Sequence, residues 1–246
     1  MYEDLEFDKL LRKGTAKLCN SEFKMGPGGK LEPKMVEGAK GMPWIFLNHD
    51  ARKKFCWFWN QVCCGVFSII PTNCRFNCWK TVLKPNNVKE LFECYDILKR
   101  LDLPSKIGMD LRDYTYGAWA GFIYADTLEE GRSYYKQVRE ALPKKVSVIL
   151  KRGCTEMERL KPSKEWDNMA KVDFEMEQKL LDRFKFDERH YHQAKWYKKE
   201  IEENWIIRAI QIGDPTARET AEKYSDDPDV WNKLVVVSQT YHSEED

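Results

Sequence analysis

Cysteine is the residue type whose number and spacing best fit a chemical site in this chain. Five of the eight cysteines lie between residues 56 and 78, and another, Cys154, follows a predicted strand further along. Structural zinc usually takes four Cys or His ligands, often two at a time from a short loop. Cys74 and Cys78 can converge on a helix or a curled loop, whereas on a straight strand they would lie about 13 Å apart. The pattern predicts a metal site whose candidate ligands are Cys63, Cys64, Cys74, Cys78 and Cys154, with His49 as a further candidate.

Two other interpretations of these cysteines stay open. An iron–sulfur cluster also takes thiolates, but the C-x3-C spacing of residues 74–78 lacks the further C-x2-C of the radical enzymes, so zinc is the preferred cofactor. Alternatively, the thiols are apolar core side chains, because free cysteine is among the most buried residue types. Cys94, in a predicted helix beside Phe92 and Tyr95, fits this last interpretation.

The strands and helices that must position these residues are predicted from a regular alternation of strand-like and helix-like sequence patterns. Asn87 and Thr127 are predicted helix caps, and Thr127 forms a capping box with Glu130. The predicted order is a strand over 78–83, a helix over 88–102, strands over 105–111 and 114–124, a helix over 128–142 and a strand over 145–150. This βαββαβ order predicts a ferredoxin-like α+β core with a four-stranded antiparallel sheet and two helices. Its first and last strands are antiparallel neighbours, which would bring Cys154 close to Cys78.

The regions on either side of this core differ in character. Residues 1–75 are predicted to hold an N-terminal helix, an arm over residues 24–43 that is rich in glycine and proline, and a Cys-rich helix from Asp50 to about Phe67. Residues 76–161 form the predicted core. Residues 162–246 are predicted to be a helical region with an apolar stripe, namely Ala194, Tyr197, Ile201, Trp205, Arg208, Ala209 and Ile212. Such a stripe favours docking to a protein partner if it is left exposed.

The third predicted strand is aromatic and rich in small residues. Period-two alternation places one set of its residues on a single face, namely Tyr114, Tyr116, Ala118, Ala120, Phe122 and Tyr124. Small residues between aromatic rings leave room for a flat ligand such as a nucleic-acid base. The alternative is an aromatic face buried under the terminal helices.

The stretch AGFIYADTLEEG is similar to the third strand and following helix of RNA-recognition-motif domains, whose strand reads roughly (K/R)-G-(F/Y)-(G/A)-F-V-x-(F/Y). Gly121, Phe122 and Ile123 match its later positions, while Ala120 stands where an aromatic is expected and Trp119 where a glycine is. The similarity covers about a dozen residues, and the family's first-strand motif is not seen in CWKTVL. It implies binding of single-stranded RNA on the sheet.

Basic residues near the predicted sheet are candidate phosphate contacts, namely Arg75, Lys80, Lys84, Lys106, Arg112, Lys151 and Arg152. The predicted nucleic-acid-binding set combines basic and aromatic side chains and comprises Lys80, Arg112, Tyr116, Phe122, Tyr124, Lys151 and Arg152. Asp110, Asp113 and Asp126 oppose a clean basic patch. The net charge of +1 gives the whole chain no general attraction to nucleic acid.

Composition and motifs narrow the function classes. The sequence contains no phosphate-binding loop, dinucleotide fingerprint, H-E-x-x-H or G-x-S-x-G. The N-terminus lacks the pattern of an export signal, and the longest uncharged run, residues 56–74, is interrupted by polar residues, so we expect an intracellular protein with no membrane span. The leading hypothesis is a non-enzymatic binding or assembly protein, with a protein partner on its C-terminal helices and nucleic acid as a candidate ligand. The alternative is a metal- or thiol-dependent enzyme centred on the cysteines.

Overall fold

The alternating segments of the sequence form a mixed α+β structure. The computed structural model describes residues 9, 23–25, 31–33, 43–47, 63–64, 66–67, 69–168, 175, 177–179 and 194–226. The predicted N-terminal helix, most of the Cys-rich helix, His49 and the last predicted helix lie outside the described residues.

The main sheet has five antiparallel strands, one more than the sequence predicted. They are β3 (Trp44–Leu47), β4 (Trp79–Lys84), β5 (Ser105–Met109), β6 (Trp119–Ala125) and β7 (Ser147–Arg152). Their order across the sheet is β3-β5-β6-β4-β7. The predicted α+β class and the antiparallel pairing of the first and last core strands, β4 with β7, are confirmed.

A separate hairpin lies within the segment that was predicted to be an arm. Strands β1 (Phe23–Met25) and β2 (Leu31–Pro33) pair antiparallel, with Lys24 opposite Glu32. Pro33 is itself a residue of β2, so the segment that was predicted to be an arm takes part in a short strand pairing.

Two of the helices begin directly after the capping residues that the sequence predicted, Asn87 and Thr127. The described helices are α1 (Thr72–Phe76), α2 (Val88–Leu101), α3 (Leu128–Ala141), α4 (Thr155–Leu160), a 3-10 helix (Ser163–Asn168), α5 (Lys195–Gln211) and α6 (Ala217–Tyr224). The Asn87 side chain accepts a hydrogen bond from the Glu90 amide at 2.9 Å, and Thr127 accepts one from the Glu130 amide at 3.1 Å. Each bond satisfies an amide that the first helical turn leaves without a partner.

The aromatic strand is shorter than predicted. It begins at Trp119, and residues 110–118 form a loop that is closed by a hydrogen bond from the Asp110 amide to the Ala118 carbonyl at 2.8 Å. Gly117 adopts φ +76°, a left-handed conformation that a strand cannot contain. Tyr114 and Tyr116 therefore lie in the loop rather than on the strand.

The two faces of the main sheet have different surroundings. The face that we call proximal carries aliphatic and aromatic side chains that pack under α2, α3 and α5, among them Ile45, Leu83, Ile107, Trp119 and Ile123. Because side chains alternate along a strand, the strand residues between these point the other way. We call that side the distal face, and its residues are Trp44, Phe46, Lys80, Val82, Lys106, Phe122, Tyr124, Ile149 and Lys151.

The apolar stripe of α5 belongs to the same core. Tyr197, Ile201, Trp205 and Ala209 are buried in the cluster that covers the proximal face. Trp205 meets Phe92 edge to face at 5.5 Å, and its indole nitrogen donates to the Pro43 carbonyl at 3.0 Å. These four stripe residues are thus covered within the chain, whereas the stripe residues Ala194, Arg208 and Ile212 are exposed. Docking of a protein partner to this helix stays a prediction. Among the described helices, none combines the length and the apolar character that crossing a membrane requires.

Candidate functional sites

The distal face carries a group of aromatic rings around a lysine. Trp44 and Phe122 lie edge to face, with ring centroids 5.5 Å apart. The Lys106 ammonium lies 4.2 Å from the Trp44 ring centroid and 5.2 Å from that of Phe122. All three side chains are half-buried. We call these three residues the aromatic group.

Strand register explains how distant residues reach this group. Lys106 stands between Phe46 on β3 and Phe122 on β6, and Trp44 stands opposite Gly108. Gly108 is required there, because a Cβ would lie 1.9 Å from the Pro43 carbonyl oxygen. Gly108 and its neighbour Ala120 are both buried beside the Trp44 ring and add little side-chain bulk there. Partly exposed ring surface next to a cation suits a planar ligand.

Sequence reasoning missed two members of this face. Trp44 and Phe46 fall in the four-residue segment WIFL, whose run of apolar residues was the available signal but was too short to stand out beside a Gly- and Pro-rich segment. Lys106 was among the basic groups near the sheet, although its position between two rings depends on strand register.

The predicted nucleic-acid-binding residues divide into separate groups. Lys80, Phe122, Tyr124 and Lys151 share the distal face. However, Lys80 and Tyr124 are each only 6% exposed. The Lys151 ammonium contacts the Thr155 hydroxyl at 3.1 Å, and burial together with the charge of Lys80 lowers the pKa of Lys151.

Two predicted residues lie away from this face. Arg152 follows Lys151 and so points to the opposite side of the sheet, where it pairs with Asp167 at 2.7 Å. Its guanidinium also lies 5.7 Å from the Trp166 ring centroid. Tyr116 is 90% exposed in the loop before β6. The structure therefore does not bring Arg152 and Tyr116 together with Phe122.

Arg112 is held in an ion network at the end of β5. Its guanidinium donates to both carboxylate oxygens of Asp110, each at 2.7 Å, and also pairs with Glu156 on α4. Burial of Asp110 opposes its ionisation, but the hydrogen bonds and charge of Arg112, together with Lys84, lower the pKa of Asp110. The Tyr114 hydroxyl donates to Glu156 at 3.1 Å. This network fixes the loop of residues 110–118 against α4.

The second site is a thiol cluster, which we define as Cys63, Cys64, Cys74, Cys78 and Cys154. Cys63 and Cys64 lie in a helical turn, Cys74 lies on α1, and Cys78 and Cys154 flank β4 and β7. The Gly153 amide donates to the Cys78 carbonyl at 2.8 Å, next to the paired residues Trp79 and Arg152. The predicted proximity of the chain around Cys78 to the chain around Cys154 is therefore confirmed.

Electrostatic interactions connect the thiols of this cluster. Those of Cys64, Cys74 and Cys78 each interact with the thiol of Cys154. Burial, with the nearby charges of Cys154 and Glu156, raises the pKa of Cys64 to about 12. Burial first, and then the neighbouring Cys154, also raises the pKa of Cys74. Most of these sulfurs therefore remain protonated thiols near neutral pH.

The charge and exposure of Cys154 distinguish it from the rest of the cluster. The Lys80 ammonium lies 2.7 Å from the Cys154 sulfur, and Cys154 is partly exposed whereas the other four cluster cysteines are buried. Within the described part of the chain, no three Cys, His, Asp or Glu side chains are arranged to hold a metal ion. Metal binding by the cluster thus stays a prediction. It would require side chains to move, because metal ligands lie at fixed short distances from the ion.

No protein-family model, curated protein or solved structure matches this chain. A functional hypothesis therefore has to come from the residues of the aromatic group and the thiol cluster.

Proposed function

We propose that the protein is a non-enzymatic binding protein whose distal sheet face stacks bases of single-stranded nucleic acid. The observation that carries the proposal is the aromatic group, in which Trp44 and Phe122 lie half-buried next to each other and to the Lys106 ammonium. Base stacking on aromatic rings tolerates any sequence, because every base has a π face. The Lys106 ammonium beside these rings attracts the electron-rich face of an aromatic ring and the negative charge of a phosphate.

We further propose that residues 79–152 form a ferredoxin-like unit with β3 added at one edge. The support is the chain order β4-α2-β5-β6-α3-β7, the sheet order β7-β4-β6-β5, and the placement of α2 and α3 on the proximal face. The segment that is similar to RNA-recognition-motif domains falls on β6 and the start of α3. Its residue Phe122 lies on the distal face, where sheets of this kind stack bases.

The ionic surroundings favour unpaired bases over a duplex as the ligand. Lys84 and Arg112 are engaged by Asp110, and the chain has a net charge of only +1. Few cations on this face are therefore available to neutralise the phosphates of a double helix. Affinity should depend on stacking and vary only weakly with salt, because the salt slope scales with the number of phosphates that are neutralised.

The test is a fluorescence-anisotropy titration of the full-length protein with a labelled oligouridine of about 12 nucleotides, a length within the range that one sheet module covers. Replacement of Phe122 or Trp44 by Ala is expected to weaken binding by about 1–3 kcal/mol for each stacked base. The matched control is Trp196→Ala, because Trp196 is 68% exposed on α5, away from the sheet. Equal losses in Trp44→Ala and Trp196→Ala, or tighter binding of a duplex, would contradict the proposal.

A second candidate function is a metal- or thiol-dependent enzyme, which the convergence of five thiols favours. Zinc is the preferred metal for such a set, and iron–sulfur is the less favoured cofactor. Metal analysis of protein purified under anaerobic conditions, without an affinity metal, tests this candidate. About one zinc per chain, lost together on replacement of Cys74 and Cys78, is the expected result. A metal-free, fully folded protein would remove metal chemistry from consideration.

A further inference from the structure

Cys154 occupies a different environment from the other described cysteines. It alone among them is partly exposed, since Cys63, Cys64, Cys74, Cys78 and Cys94 are buried. A thiol has to be reached by solvent before it can react with a small oxidant. Exposure therefore separates Cys154 from its neighbours as the sulfur that an oxidant meets first.

A lysine stands directly against this sulfur. Lys80 lies on the distal face of β4, and its ammonium is 2.7 Å from the Cys154 sulfur and 5.4 Å from the Tyr124 ring centroid. A cation at this distance stabilises a thiolate relative to a thiol. Lys151 opposite Lys80 contributes a second positive charge to the same surroundings, and Glu156 and Glu158 contribute negative charges there.

A second thiol lies close to the first. The Cys78 thiol interacts with that of Cys154, and the Gly153 amide donates to the Cys78 carbonyl at 2.8 Å, which holds the two chain segments together. Gly153 has φ +64°, and a Cβ there would lie 2.4 Å from the Trp166 ring. This left-handed glycine breaks the alternation after Arg152, so that Cys154 meets Cys78 and Lys80 instead of following Arg152 to the proximal side.

We propose that Cys154 and Cys78 form a peroxide-sensitive thiol pair, in which Cys154 is oxidised first and Cys78 resolves it to a disulfide. This inference does not depend on base stacking, because none of the aromatic group residues Trp44, Lys106 and Phe122 takes part in it. In the first step the Cys154 thiolate attacks the O–O bond of a hydroperoxide. An S–O bond forms, the O–O bond breaks, and the released alkoxide takes a proton to become an alcohol.

In the second step the Cys78 sulfur attacks the sulfur of the Cys154 sulfenic acid. The S–S bond forms, the S–O bond breaks, and the hydroxyl leaves as water with the Cys78 proton. The two thiols lose two electrons in total, and the hydroperoxide gains them. With hydrogen peroxide as the oxidant the products are one disulfide and two waters.

The first experiment uses the reduced, full-length, wild-type protein and needs no variant. Brief treatment with iodoacetamide, followed by peptide mass spectrometry, is expected to label Cys154 before any other described cysteine. Treatment of a second sample with hydrogen peroxide is expected to give a Cys78–Cys154 disulfide. A Cys154 that stays unlabelled until the protein is denatured, a disulfide between other cysteines, or retained zinc that protects the cluster would overturn the proposal.

Three variants assign the roles of the residues. Cys78→Ala should leave a sulfenic acid on Cys154 that dimedone traps, because the resolving thiol is gone. Lys80→Met should slow alkylation of Cys154 by about tenfold, as one unit of thiolate pKa would predict, whereas Lys80→Arg should retain most of the rate. The control is Cys94→Ala, which removes a buried thiol of α2 and should leave the disulfide unchanged. Equal alkylation rates in wild type and in a folded Lys80→Met variant would refute the role of the lysine.

Discussion

The two faces of the main sheet are built from the same strands but have different physical roles. The proximal face carries Leu83, Ile107 and Ile123, which are fully buried under the helices. The distal face places Lys106 between Trp44 and Phe122, which are only half-buried. Adjacent residues of one strand thus serve stability on one side and present rings and charge on the other. Substitutions on the two faces should separate the two roles.

The largest expected effect lies on the proximal side. Trp205→Ala removes a fully buried indole that packs against Phe92 and Tyr95 and donates to the Pro43 carbonyl. The free energy of unfolding should fall by about 3–5 kcal/mol, the usual result of emptying an aromatic core position. Urea denaturation followed by circular dichroism measures this change. A loss below about 1 kcal/mol would mean that α5 is not an integral part of the core.

An intermediate effect on stability is expected in the ion network of Arg112 at the end of β5. Asp110→Asn leaves the Arg112 guanidinium with Glu156 but without its bidentate partner. A hydrogen bond to a charged group contributes about 1.5–3 kcal/mol, so the free energy of unfolding should fall by about 2 kcal/mol. Urea denaturation at pH 7 is the measurement, and Asp113→Asn, an exposed neighbour in the same loop, is the control.

The same network predicts a pH dependence. Because the folded state lowers the pKa of Asp110, folding is favoured by ionisation of this carboxyl. The contribution is complete above the ordinary aspartate pKa of about 4 and is lost as the pH falls through the lower folded-state value. The stability difference between wild type and Asp110→Asn should therefore shrink below about pH 4. A difference that stays constant down to about pH 2 would show that the lowered pKa does not contribute.

The smallest expected effect on stability lies on the distal face. Phe122→Leu replaces a half-buried ring by a side chain of similar volume and should change the free energy of unfolding by less than about 1.5 kcal/mol. The same variant should lose affinity for oligouridine, because leucine offers no ring to a base. If stability falls as far as in Trp205→Ala while affinity is unchanged, the distal face is a core surface and the contrast between the faces disappears.

The thiol cluster and the aromatic group were predicted to different extents. The order of strands alone predicted that β4 and β7 are neighbours, which brings the chain at Cys78 close to that at Cys154. The aromatic group was only partly identified, since Trp44 comes from an edge strand that the sequence pattern did not reveal. Arg152 was placed in the same predicted binding set as Lys151, although alternation along β7 puts the two side chains on opposite faces. Because Lys151 pairs with Lys80, its side chain lies on the distal face, and that of Arg152 points to the other side of the sheet.

The sequence by itself determined the local elements of this protein. Asn87 and Thr127 start helices because a side-chain oxygen needs only an amide three residues away. Alternation over residues 119–125 likewise requires only the chain's own geometry. Tertiary structure decided which side chains meet: Trp44 beside Phe122, Lys80 against Cys154, and Trp205 over the proximal face. These contacts depend on strand register and on competition among distant apolar surfaces for burial, which no local pattern encodes.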